Sequence, residues 1–397
     1  MKLSSTKSKN GIKAAILTMS FVQMATNGIA AVLADITKAF PEVATANIQF
    51  LMTFPSLFIV GVTLLSAWLC RYFSKKVLVE SGLILVCISG MLSFLFHGSL
   101  LLLFIWAGIL GIGVGLVSAL AISLISDYFD GEEKSSLLGI QTSAANFGSM
   151  LMTFFGGILA TISWSCNYLI YFLAMPGLIL TMYYLPREKF KNHEKRESVK
   201  VEKNVWFYCM ITAVFMLFFY IGPTNIALML QEDQIGNVML AGIAVTILLL
   251  GGVLLGMFFG KLSVYIGKKT IPMGFFVLAI GYMIMYASKN IMIFYLGCLI
   301  IGSSISLVMP QCMFQIASKG SSAAVTLGMA LAMSFSNLGT FMNPILTSIA
   351  NIIMNSNLAR DRILFTSVAT LICAIIFYLW FLKVEMKERG KESEYRV

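Results

Sequence analysis

An all-α membrane protein of twelve spanning helices, paired off as two pseudo-symmetric six-helix bundles, is the fold class this sequence predicts. Three observations carry it: an apolar composition, charge-free stretches of spanning length, and motifs that recur at a nearly constant offset. Of 397 residues, 58% are hydrophobic and 12% charged, with a mean hydropathy of +0.88. Soluble chains carry about 25% charged residues. A soluble chain of this length divides into two or three domains, and there is too little polar side chain here to clothe them.

The spans follow from the charges. A helix needs about 20 apolar residues to cross the hydrocarbon core. Single-span stretches free of charge are 14–34, 43–70, 204–231, 234–260, 270–288, 290–318, 320–359 and 363–382. Two longer ones, 81–126 and 135–186, hold two helices each, with breaks at His97-Gly98-Ser99 and at Ser163-Trp164-Ser165-Cys166-Asn167. Numbered in chain order these are spans 1 to 12. Lys2, Lys7, Lys9 and Lys13 ahead of span 1, with Val32-Leu33-Ala34 after it, imitate a signal peptide. The apolar run exceeds a usual signal core, so it is kept as a span. Of 28 Lys and Arg, only Lys38, Lys289, Arg360 and Arg362 fall outside when both termini are placed in the cytoplasm. Basic residues collect on the cytoplasmic side, so a cell-membrane protein with both ends inside is expected.

The net charge of +10 does not point to nucleic acid, because the basic residues form short clusters between apolar runs rather than a continuous stripe. Seven cysteines without repeating spacing give neither a disulfide framework nor a zinc site. Neither metal nor cofactor is expected. The long charged segment between spans 6 and 7, Arg187 to Lys203, divides the chain into an N-terminal bundle (1–186), a cytoplasmic linker (187–203) and a C-terminal bundle with a short tail (204–397).

Motifs recur across that division. Ser66-Ala-Trp-Leu-Cys-Arg-Tyr-Phe-Ser-Lys-Lys76 after span 2 is matched by Gly260-Lys-Leu-Ser-Val-Tyr-Ile-Gly-Lys-Lys-Thr270 after span 8. Gly108 and Gly113 match Gly297 and Gly302, Asn146-Phe-Gly148 matches Asn337-Leu-Gly339, and Thr26-Asn27 matches Thr224-Asn225. Four matches in one order describe a duplicated six-helix unit.

On these residues the chain resembles the major facilitator superfamily over essentially its whole length. The family's loop signature G-x-L-A-D-R-x-G-R-R/K keeps Gly260, Leu262, Gly267, Lys268 and Lys269 in the second copy, and Arg71, Lys75 and Lys76 in the first. Ser66, Cys70 and Phe73 stand where Gly, Asp and Gly are usual. Gly111-Ile-Gly-Val-Gly115 resembles the glycine-rich part of the fourth-helix signature, with Ala107 in place of its Arg. The fifth-helix motif of the drug:proton antiporter branch survives as Gly148 and Gly156-Gly157, with Met152-Thr153 in place of Gly-Pro. The resemblance implies a secondary transporter whose spans 1, 4, 7 and 10 line a central cavity.

Candidate substrate-binding residues on those spans are Gln23 and Asn27, one turn apart on a shared face, then Tyr220, Thr224 and Asn225 around Gly222-Pro223, and Gln311 and Gln315 after Pro310. The two prolines are expected to interrupt their helices and free backbone groups for a ligand. Asn146 and Asn337 join the candidates beside packing glycines. For each of them interhelical glue, worth on the order of 1 kcal/mol, stands as the other reading. Candidate gating residues are Arg71, Lys75 and Lys76 with Asp127, and Lys268 and Lys269 at the matching place. An ion pair from the first cluster to Asp127 is expected. Only Asp35 and Glu80 lie close enough to the membrane to carry protons.

Span centres hold no charge cluster and no nucleophile–base group, so an enzyme is not expected. A phosphate-binding loop of the G-x-x-x-x-G-K-[ST] type does not occur, so energy must come from a gradient or from the substrate itself, with protons or another ion as candidate partners. A monomer that exports an amphiphilic or drug-like compound is the leading expectation. Uptake or exchange of a small neutral polar solute is the alternative, and a non-transporting sensor the reading from another class.

Overall fold

The computed structural model describes residues 6–70, 72–129, 131–186, 203–317 and 322–394. All regular elements among them are helical. α1 has α-helical ends, Thr6–Met19 and Leu33–Ala39, and a 3₁₀-wound middle, Ser20–Val22 and Ala25–Val32. α2 is Thr45–Thr53 continued by Pro55–Leu69, with Pro55 at a first helical position where no amide is needed. α3 (Lys75–Leu95) begins at Ser74, whose hydroxyl accepts from the Val77 N–H at 3.4 Å as an N-cap. α4 is Leu100–Tyr128, α5 Gly131–Leu159, and α6 a 3₁₀ stretch Trp164–Leu173 followed by Ala174–Tyr184.

In the second half α7 is Lys203–Phe219 and Ile221–Glu232, and α8 is Val238–Ile266. Gly267, with φ +59°, turns the chain into α9 (Thr270–Ala287); a left-handed residue at this place favours glycine. α10 is Ile291–Ala317, α11 Ser322–Phe341 and Asn343–Met354, and α12 Ala359–Glu394. Ten of these segments are long and apolar enough to cross a bilayer, and Ser143–Leu159 in α5 is a shorter apolar one. α11 is the twelfth. The chain is thus an all-α, multi-pass membrane protein. α12 exposes Ile372, Ile375, Ile376 and Leu379, a stripe at helical spacing that suits lipid contact.

Two expectations change. α10 runs unbroken through Pro310, so of the two prolines only Pro223 lies beside an interruption. α1, which has no proline between Thr6 and Ala39, is wound as 3₁₀ for most of its middle. The linker, apart from Lys203, lies outside the described residues, and so does Arg71.

The described residues form two compact units. Unit 1 takes in Met1–Val199, Pro223–Thr246 and Thr340–Ile345; unit 2 takes in Lys200–Gly222, Ile247–Gly339 and Leu346–Val397. The chain therefore changes unit inside α7, α8 and α11. Within each unit a glycine of the repeated motif brings two backbones together. A Cβ on Gly148 of α5 would lie 2.3 Å from the Phe21 carbonyl oxygen of α1, and one on Gly339 of α11 would lie 2.1 Å from the Ala213 carbonyl oxygen of α7. Only a residue without a side chain fits at either place.

Candidate functional site

In unit 1 two long-range polar contacts gather on Gln49 of α2. Its Nε2 donates to Asn225 Oδ1 at 2.8 Å and to the Thr224 carbonyl at 3.1 Å. Asn225 Nδ2 in turn reaches Thr224 Oγ1 (3.2 Å), and that hydroxyl reaches Asn343 Oδ1 of α11 at 3.4 Å. Gln49, Thr224, Asn225 and Asn343 are all fully buried. Three helices are thus joined by amides and a hydroxyl, with no charge among them. Gln49 Oε1 has no partner among the described residues. Next along α2, Phe50 meets Phe341 (ring centroids 5.1 Å) and Phe104 (5.9 Å), and Phe54 meets Phe104 at 5.1 Å. Gln49, Asn343, Phe50, Phe54 and Phe341 were not foreseen, because α2 and α11 are not among the spans assigned to the cavity; Phe104 stands on α4, which is, but an apolar ring in a span gives no sign of its neighbours.

At one end of this network Gln231 Nε2 donates to Asp35 Oδ1 at 2.7 Å, with Lys38 Nζ 3.9 Å from the same oxygen. Thr153 and Thr246 share a hydroxyl contact at 3.1 Å. Asp35 is therefore placed as the acceptor of a charge-assisted bond from α7.

Along α1, Gln23 Oε1 accepts from Gln141 Nε2 of α5 at 2.7 Å. Asn27 Nδ2 donates to Ser149 Oγ at 3.1 Å, and Asn167 of α6 donates to the Gly28 carbonyl at 3.0 Å. Asn27 thus bonds a residue of α5, and Asn225 one of α2. Thr26 lines a small cavity with Ser89, Ser93 and Tyr168, of about 10 Å³. That is room for about one water.

In unit 2, Tyr220 is half-buried between the two segments of α7. Tyr282 of α9 stands at this break: its hydroxyl accepts from the Gly222 N–H at 2.9 Å and lies 2.8 and 2.9 Å from the carbonyls of Phe218 and Phe219. Gln315 Oε1 accepts from Tyr208 Oη at 3.4 Å, and Gln311 is buried one turn away. Asn337 bonds its own helix, donating to the Met333 carbonyl at 3.0 Å. Asn146 is half-buried on α5.

The charged candidates separate as well. Lys75 pairs with Asp127 and also donates to Ser123 Oγ at 2.6 Å. Lys76 does not join them. Its ammonium donates to the carbonyls of Met182 (2.6 Å) and Leu185 (2.8 Å) at the end of α6, where unpaired carbonyls attract a cation, and it lies 3.7 Å from Glu80. Lys13 pairs with Glu133 at 2.6 Å, which holds that carboxyl below the usual glutamate range. Lys268 and Lys269 are half-buried in the turn after α8. Among the described residues no three His, Cys, Asp or Glu gather to hold a metal.

The profile of the Major Facilitator Superfamily matches residues 15–344 and 207–396. No curated protein matches. Among solved structures, the POT family transporter PepTSo superposes with a TM-score of 0.74 at 11% identity, covering 95% of this chain and 98% of the other. A peptide transporter POT in complex with alafosfalin gives 0.75 at 12%, covering 94% and 95%. The nucleoside transporter NupG gives 0.73 at 11%, covering 93% and 100%. At such identities the likeness is one of fold.

Proposed function

The chain belongs to the Major Facilitator Superfamily and is a membrane transporter rather than an enzyme; from that premise we propose that it moves a neutral, amphiphilic small molecule by alternating access, in the direction of efflux. The carrying observation is the juxtaposition on α2 of Gln49, which joins a charge-free amide network, and Phe50, which joins an aromatic one. Amides present donors and acceptors to a neutral polar group, and the rings offer apolar area to the rest of the molecule. An anionic substrate finds no Lys or Arg in this network. The direction rests on the partial antiporter motif around Gly148 and Gly156-Gly157.

In this reading residues 1–186 and 204–397 act as the two six-helix bundles of a monomer in the cytoplasmic membrane, with both termini inside. Asn225, Thr224 and Gln23 contact substrate when the bundles part, Lys75–Asp127 serves as a latch, and proton coupling, where present, runs through Asp35 or Glu80. A second reading, uptake or exchange of a small neutral polar solute, is favoured by the Gln23–Gln141 pair, in which uncharged side chains bond one another and Ser20. A panel of amphiphilic dyes and neutral polar solutes, tested for counterflow in proteoliposomes, separates the two. Dye exchange that is lost in Gln49→Ala and Phe50→Ala supports the proposal. Exchange of polar solutes alone supports the second reading, and no exchange of any compound removes both.

A further inference from the structure

The break in α7 has an identifiable cause and an identifiable repair. In a continuous α-helix the Phe219 carbonyl accepts from the amide four residues on. That residue is Pro223, which has no N–H. The amide of Gly222, one residue earlier, is directed to Tyr282 Oη at 2.9 Å. Inside a bilayer such groups cannot turn to water, so a partner has to be supplied. Tyr282 is fully buried, and its hydroxyl is the group that meets them, accepting from Gly222 and facing the carbonyls of Phe218 and Phe219 at 2.8 and 2.9 Å.

A phenol has one proton to give. It can bond either carbonyl, and moving between them leaves the Gly222 bond in place. The break therefore has two settings of nearly equal hydrogen bonding. A second observation locates it: the chain passes from unit 2 to unit 1 between Gly222 and Pro223. Beyond that point α7 carries Thr224, Asn225 and Gln231, which bond Gln49, Asn343 and Asp35 of unit 1.

We infer that Tyr282 is a positioning residue for transport, a hinge pin whose hydroxyl sets the direction of the outer segment of α7. The inference rests on the transporter reading but on no particular substrate. Its test needs none: spin labels at Met210 and Glu232, both exposed and on opposite sides of the break, report the distance across it, and an impermeant maleimide reports access to a cysteine at Glu232.

Tyr282→Phe keeps the ring and removes the hydroxyl. The label-to-label distance distribution should broaden, and the maleimide rate should rise about tenfold, the scale set by orphaning a buried group. Pro223→Ala in the Tyr282→Phe background returns an amide to Phe219. It should restore a single narrow distance, different from that of the native chain. A merely structural tyrosine would lower the melting temperature of Tyr282→Phe while the folded fraction kept the native distance and labelling rate, and that result overturns the inference. Should Tyr282→Phe not fold, the double variant decides: the native distance in it also overturns the inference. Failure of the dye assay above would leave these readouts unaffected, so the two readings fail separately.

Discussion

α1 and α7 open the two halves and carry the same Thr-Asn pair, yet the structure holds them by different means. Both press their backbones onto a glycine of a later helix, Gly148 and Gly339. Beyond that contact they diverge. α1 is wound as 3₁₀ in its middle and is braced from α5 and α6, through Ser149 and Asn167. α7 is interrupted at Tyr220, just before Pro223, and is held there by Tyr282 and farther on by Gln49. The difference shows what duplication constrains. Backbone approach within van der Waals distance admits one residue type, so the glycines recur. A polar side chain needs only some partner within about 3 Å, and different neighbours can supply one.

The largest expected effect tests the shared part. Gly148→Ala and Gly339→Ala each drive a Cβ to within 2.3 Å of a backbone carbonyl. Backbone cannot rotate away as a side chain can, so the helices must separate. Overpacking costs about 1–3 kcal/mol and sometimes more. Both variants should show a much lower melting temperature in detergent, by similar amounts. A large loss in one and none in the other would break the equivalence of the two contacts.

The next effect tests the divergent part. Asn225→Ala leaves a fully buried Gln49 amide without its best acceptor, at a cost of about 1–3 kcal/mol. Asn27→Ala removes a bond to a serine hydroxyl that can rotate toward its own helix, worth about 1 kcal/mol or less. Thermal melts of the two purified variants should therefore rank Asn225→Ala as the more destabilised. Equal losses would mean that both asparagines are interchangeable packing groups.

Much of this was readable beforehand. The spans were, because a charge in hydrocarbon is costly enough to mark each helix end; the break expected at His97-Gly98-Ser99 falls between Leu95 and Leu100. The attraction between Lys75 and Asp127 was readable too, as opposite charges at neighbouring helix ends. The partners of the interior amides were not. Gln49 and Asn225 are 176 positions apart, and an uncharged residue in a span gives no sign of which neighbour it faces. The winding of α1 was equally hidden, since a shift from four-residue to three-residue bonding leaves the apolar pattern nearly unchanged. Pro310 shows the converse. Proline removes one bond wherever it stands, but whether the helix stops there depends on the groups around it.

Smaller effects are expected at the charged ends. Asp127→Asn removes the charge from the pair while Lys75 keeps its bond to Ser123. Both side chains are partly exposed, so the pair contributes about 0–1 kcal/mol, enough to shift a balance between conformers but not to unfold the chain. Impermeant-maleimide labelling of cysteines introduced on each face should change in ratio while the melting temperature holds. An unchanged ratio would make the pair a topology-setting charge and nothing more.

The smallest effect distinguishes the two halves by charge. Lys13 joins Glu133 and so ties α1 to α5, whereas at the offset of the Thr-Asn pairs Ile211 stands where Lys13 would recur. The hydrogen bond from Lys13 depresses the Glu133 carboxyl below the glutamate range. A depressed carboxyl stabilises the folded state above the ordinary glutamate pKa, and that contribution disappears as pH falls through the lowered folded-state value. Glu133→Gln should therefore melt slightly below the native chain near neutral pH, with the gap closing as the solution is acidified. Solvent screens so exposed a pair, and added salt should shrink the neutral-pH gap in the same way. A gap that stayed constant from neutral to acid pH would mean that Glu133 acts through packing rather than charge.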